Sequence, residues 1–185
     1  MEYEDLEQST VKVCTTAIGQ SYDIYIGEIT MPENFYDTLY ILDKATEYDE
    51  VVLHINSGGG ILSTTVQLAN AIKKCRCLVT GSFEGFCASG ATMLFLACNS
   101  WEIQPDGIFM VHSPSGCSEG KHMEVIDRAL FDKKWAEAYY PSVYKDFLSS
   151  AEIKSVLDGK DIWLTSEEVT VRIKKTAIAR GKARR

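Results

Sequence analysis

The chain has 185 residues, 45% of them hydrophobic and 24% charged, a mixture that sustains one ordinary globular domain with its own core. Its 26 acidic and 19 basic side chains leave a net charge of −7, and seven of the basic ones fall in 171–185 with no acid among them, so the remainder is strongly acidic. Such a body argues against a nucleic-acid-binding domain, no apolar run approaches the ~18–20 residues of a membrane-spanning helix, and the polar start "MEYEDLEQST" does not read as a secretory signal.

In chain order, residues 1–21 form an N-terminal segment, and "YDIYIGEI" (22–29) reads as a strand. "ENFYDTLYILDKATEY" (33–48) puts Phe35, Leu39 and Leu42 at helical spacing. "VVLHIN" (51–56) reads as a strand covered on both sides. After "SGGG", Leu62, Val66, Ala69 and Ile72 mark the next helix. "CLVTGSF" (77–83) is a strand and Ala88–Cys98 a helix. "WEIQ" and "GIFMVH" (107–112) are strands parted by the turn signal "PDG". A long helix is expected over about 121–149, interrupted or restarted at Pro141, and 171–185 is expected as a basic, solvated tail. Strands alternating with helices make the fold class α/β, in one domain spanning 1–185 with a core over 22–170. The six cysteines, at 14, 75, 77, 87, 98 and 117, read as reduced thiols, which points to the cytoplasm. "CRC" at 75–77 has no second pair to complete a zinc site, so no metal and no cofactor are expected.

Three stretches carry candidate chemistry. "NSGGGIL" (56–62) is a glycine turn from strand to helix whose N–H groups point at whatever lies above it. It lacks the Lys-Ser/Thr of a P-loop, and by itself is most often just a tight turn. "GFCASGATM" (85–93) sets Ser89 near a helix N-terminus among small residues. A serine there can attack a carbonyl while the N–H of Gly90 receives the oxyanion, or it can simply cap the helix. Cys87 is a rival nucleophile or a small buried hydrophobe. "MVHSPSG" (110–116) sets His112 at a strand end, where an imidazole reaches a cleft; His54, inside a strand, and His122, at a helix start, read as structural or solvated.

Together these stretches resemble the proteolytic subunit of the Clp protease, a serine peptidase family of crotonase-like fold. "VVLHINSGGG" is similar to the family's strand ending I-N-S-P-G-G, with Gly58 in the place of proline. "GFCASGATMLFLA" resembles G-x-A-A-S-M-G-A-x-L-L-x-A, which puts Ser89 on the nucleophile and Gly90 on the residue after it. "GIFMVHSPSGCSEG" resembles R-V-M-I-H-Q-P-x-G-G-x-x-G, which puts His112 on the base. "GKDIWLTSEEV" resembles D-R-D-x-(F/W)-(L/M)-S/T-x-x-E-A, which puts Asp161 on the third member, with Gly159 and Lys160 replacing the Asp-Arg pair before it.

The resemblance implies a ClpP-like spiral of ββα units with a long protruding helix. It implies a Ser89–His112–Asp161 triad, an oxyanion hole of Gly60 and Gly90 N–H groups, and an extended peptide or unfolded-protein substrate. That substrate would lie between Gly58, Gly59 and Ile61 on one side and Ser113, Pro114, Ser115 and Gly116 on the other. It further implies a homo-oligomeric ring, heptamer or tetradecamer, fed by a separate AAA+ unfoldase. Alternatives are a non-catalytic ring subunit or scaffold, and a crotonase-type acyl-CoA enzyme. The second commonly uses a carboxylate acid/base, and no Glu heads the 88–98 helix.

Overall fold

A computed structural model describes residues 18–114 and 120–183. Strands β1 (Ser21–Ile26), β2 (Glu50–Ser57) and β3 (Leu78–Ala88) lie parallel, linked by a 3-10 turn at Pro32–Phe35 and helix α1 (Tyr36–Lys44), then by α2 (Leu62–Lys74). β3 serves two further strands. Its first half pairs with β4 (Ser100–Ile103), and its last three residues, Phe86–Ala88, pair with β5 (Ile108–Val111), both in parallel. Helix α3 (Gly90–Ala97) starts directly where β3 ends. Helices α4 (His122–Tyr144) and α5 (Ser150–Leu157) follow, then β6 (Ile162–Thr165), antiparallel to β5, and α6 (Ser166–Ala183). The result is the expected mixed α/β fold.

Val51, Leu53 and Ile55 of β2 are fully buried, whereas Val52 and His54 are half-buried and Asn56 is exposed. The expectation of a strand covered on both sides is therefore corrected: one face builds the core and the other stays partly open. There His54 bridges the carboxylates of Asp23 on β1 (3.0 Å) and Glu84 on β3 (2.5 Å), with Tyr25 stacked on its ring. Every residue of α3 is buried, so its sequence shows no polar face. Phe83, Phe95 and Phe109 meet edge-to-face beneath it.

Two further expectations change. Pro141 does not break the long helix, which runs through it from His122 to Tyr144. It falls in the last turn, where Lys145 N–H still reaches the Pro141 carbonyl (3.1 Å) and where Tyr140 and Tyr144 are anchored in the core. The first half of α4 is exposed nearly all round, with Met123, Leu130 and Phe131 in solvent. Over 171–183 the basic stretch is helix rather than a loose tail. Arg172, Thr176 and Arg180 recur every four residues on one face. They donate to the carbonyls of Phe147 (3.3 Å), Asp146 (2.9 Å) and Leu96 (2.7 Å), capping helix ends with positive or hydroxyl donors. Arg172 also pairs with Glu152 (2.7 Å), whose carboxyl it holds down to about 2.

Candidate active site

The site is built at the point where β3 stops. Ala88 pairs in register with Met110 of β5, and Ser89 N–H donates to the Met110 carbonyl at 2.9 Å. The residue after the serine begins α3 and the residue two beyond Met110 is His112, so one strand pairing brings the two side chains together. Ser89 Oγ lies 2.6 Å from His112 Nε2. Both residues are half-buried.

The serine is not an ordinary helix cap. A capping serine sits in extended backbone and accepts from an N–H of the first turn. Ser89 has φ 55 and ψ −126 and makes no side-chain cap bond; its hydroxyl meets the imidazole. A non-glycine residue in that backbone region is strained, and such strain gathers at functional turns. Cys87 is fully buried, and desolvation pushes its thiol well above the ordinary range, which leaves it a core side chain rather than a nucleophile.

The glycine turn packs against this corner. Ser57 Oγ accepts from Gly59 N–H at 3.0 Å. Residues 59–61 bridge Ile29, with Ile29 N–H to the Gly59 carbonyl and Ile61 N–H to the Ile29 carbonyl. A methyl on Gly59 (φ +93) lands 2.8 Å from Gly90 N, from the Ala88 carbonyl and from Ser89 Cβ, so a bare backbone is required at this contact. The N–H groups of Gly60 and Gly90 have no acceptor among the described residues. They flank the turn that carries the Ser89–His112 pair, and two such unpaired donors at one turn suit a developing negative charge. Gly58 is exposed and Ile61 is 38% exposed at the rim; Ser113 and Pro114 follow His112, while Ser115 and Gly116 lie outside the described residues.

Asp161 precedes β6. Val111, the last residue of β5, pairs with Ile162, the first of β6, so His112 and Asp161 each lie one residue beyond the same end of the ladder. The Asp161 side chain is exposed, and among the described residues no hydrogen bond or ion pair joins it to the imidazole. Ser89 and His112 are brought together; Asp161 is brought alongside but not into contact.

Sequence reasoning missed the groups behind the pair. Tyr140 OH donates to the His112 carbonyl (2.8 Å), and Tyr144 OH meets Thr92 Oγ1 (2.7 Å), which reaches the Ser89 carbonyl (2.6 Å). The available signal was the spacing of two tyrosines four apart on one helix, and a lone hydroxyl in the apolar run of α3.

A family model described as Clp protease matches residues 6–170. The chain resembles the chloroplastic ATP-dependent Clp protease proteolytic subunit 4 of Arabidopsis thaliana, 27% identical over 110 residues. That match takes in 58% of this chain and 36% of the relative, so the chain spans about a third of that relative's length. In fold it resembles a mutant ClpP1 from Listeria monocytogenes, with TM-score 0.63 and 22% identity over 82% of this chain and 86% of that chain.

Proposed function

The chain belongs to the Clp protease family, and on that footing we propose that it is a serine endopeptidase working through an acyl-enzyme. Ser89 Oγ attacks the peptide carbonyl as His112 Nε2 takes its proton. The developing oxyanion receives the N–H groups of Gly60 and Gly90, donors of a kind worth about 3–4 kcal/mol each in other serine peptidases. His112 then protonates the leaving amine, and water repeats the sequence on the ester. Asp161, exposed one residue before β6, supplies the third member by turning its carboxylate toward His112 Nδ1. The substrate is an extended peptide read through its backbone, so side-chain preference is loose. Family membership supports a homo-oligomeric ring, stacked as two heptamers and fed by a separate AAA+ unfoldase.

The observation that carries this reading is the 2.6 Å Ser89–His112 contact on a serine whose backbone is strained away from cap geometry. A second reading, a ring subunit without activity, is favoured by the missing Asp161–His112 bond. The test is labelling with a fluorophosphonate, together with hydrolysis of a short fluorogenic peptide, for wild type, Ser89→Ala and Cys87→Ala. Labelling and hydrolysis that vanish only in Ser89→Ala support the peptidase. A wild-type chain that neither labels nor cleaves supports the inactive subunit.

A further inference from the structure

We propose that Tyr140 and Tyr144 are positioning residues for the Ser89–His112 pair: two phenols one turn apart on α4, one holding the carbonyl of the base and the other, through Thr92, the carbonyl of the nucleophile. The inference rests on the peptidase reading above.

His112 lies just beyond the end of β5, so its carbonyl has left the sheet ladder. Tyr140, 2% exposed, supplies a donor at 2.8 Å. On the other side, Thr92 and Tyr144 are also buried, 0% and 1% exposed. The Ser89 carbonyl is only an acceptor, so the single proton of Thr92 Oγ1 goes to it. The Tyr144 O–H must then donate to Thr92, and the relay runs Tyr144 to Thr92 to Ser89. With Thr92 N–H also on the Ser89 carbonyl (3.1 Å) and Ser89 N–H on Met110, the peptide units on both sides of the strained serine are pinned. Burial pushes both phenols above their ordinary range, which keeps them protonated donors. The third tyrosine of the run differs. Tyr139 stacks on Trp135, and among the described residues its buried hydroxyl has no partner. Of these three phenols, the two engaged among the described residues are those that bond toward the pair.

A displacement of about 1 Å in such a pair costs on the order of a hundredfold in rate. The full chain is assayed with the fluorogenic peptide for kcat and KM, with the fluorophosphonate for labelling rate, and by thermal melting. Tyr140→Phe and Tyr144→Phe are expected to lower kcat by about ten- to a hundredfold, with KM close to wild type. Tyr139→Phe retains wild-type kcat. Within the relay, Thr92→Ser keeps the hydroxyl and the rate while Thr92→Val loses both, which reports the same link should Tyr144→Phe fail to fold. A residue that merely supports the fold shifts the melting midpoint and leaves the kcat of folded protein intact. That result for Tyr140→Phe and Thr92→Val, with Ser89→Ala inactive, overturns the positioning role and spares the peptidase reading. Activity that survives Ser89→Ala, or wild type that neither labels nor cleaves, overturns both.

Discussion

Replacing Ser89 by glycine and by alanine separates the chemistry of the serine from the cost of its backbone. Both variants lose the hydroxyl and its bond to His112, a loss of about 1 kcal/mol common to the two. They differ in the Cβ. At φ 55 and ψ −126 the serine lies outside the left-handed helical well, in a region that costs a side-chain-bearing residue about 1–3 kcal/mol. Alanine keeps that cost. Glycine removes it and adds about 0.4–1 kcal/mol of freedom to the unfolded chain. The balance makes Ser89→Gly more stable than Ser89→Ala by about 1.3 kcal/mol at the middle of these ranges, roughly 3–5 °C in melting midpoint for a chain of this size. Paired calorimetric scans read the difference, while labelling shows both variants inactive. An alanine variant as stable as the glycine one, or more so, refutes the claim that this turn stores strain for the sake of the hydroxyl.

Two further outcomes follow from contacts elsewhere in the molecule. A methyl on Gly90 meets Thr65 Oγ1 at 2.5 Å, so Gly90→Ala is expected to destabilise by about 1–3 kcal/mol. Adding Thr65→Ala is expected to recover about 1 kcal/mol of that loss in urea unfolding, and strictly additive effects would show that the helices do not touch there. His54 has its pKa raised, first by Asp23 and then by Glu84. Its contribution to stability is therefore complete below the unfolded value of about 6.5 and is lost as pH rises through the raised folded value. Melts of wild type and His54→Gln should thus converge from mildly acid to alkaline pH, and a pH-independent gap would dismiss the ion cluster.

The strands and helices up to His112 were largely legible because each announces itself locally: a short apolar run in β2, apolar residues at helical spacing in α2, and the turn signals "SGGG" and "PDG". Ser89 and His112 were legible as candidates from their places at element ends. What could not be read was whatever depends on partners distant in sequence. The second face of β2 looked buried because Val52 is apolar, yet the open face is set by which strands lie beside it. Pro141 reads as a breaker to any local rule, but the turn that contains it is held from outside, by tyrosine bonds to residues 28 and 52 positions away. Residues 171–183 look solvated by charge alone. Their inward arginines are legible only once the carbonyls they cap, on α3 and after α4, are in place. The relation of Asp161 to His112 is of the same kind: it depends on the register of β6 against β5, which no local pattern announces.

The pairing of Ala88 with Met110 also sets an order of events while the chain is being made. The serine precedes the histidine by 23 residues, so it leaves the ribosome with neither a base nor the carbonyl that holds its backbone in place. Until residues 108–112 dock beside β3, the hydroxyl is an ordinary weak nucleophile on an unstrained chain. If the proposed peptidase chemistry holds, a chain in which residues 108–112 have not docked beside β3 lacks the Ser89–His112 contact that chemistry needs. On the peptidase reading, the contact that joins β5 to β3 is the same one that assembles the site, and activity arrives only once that pairing is in place.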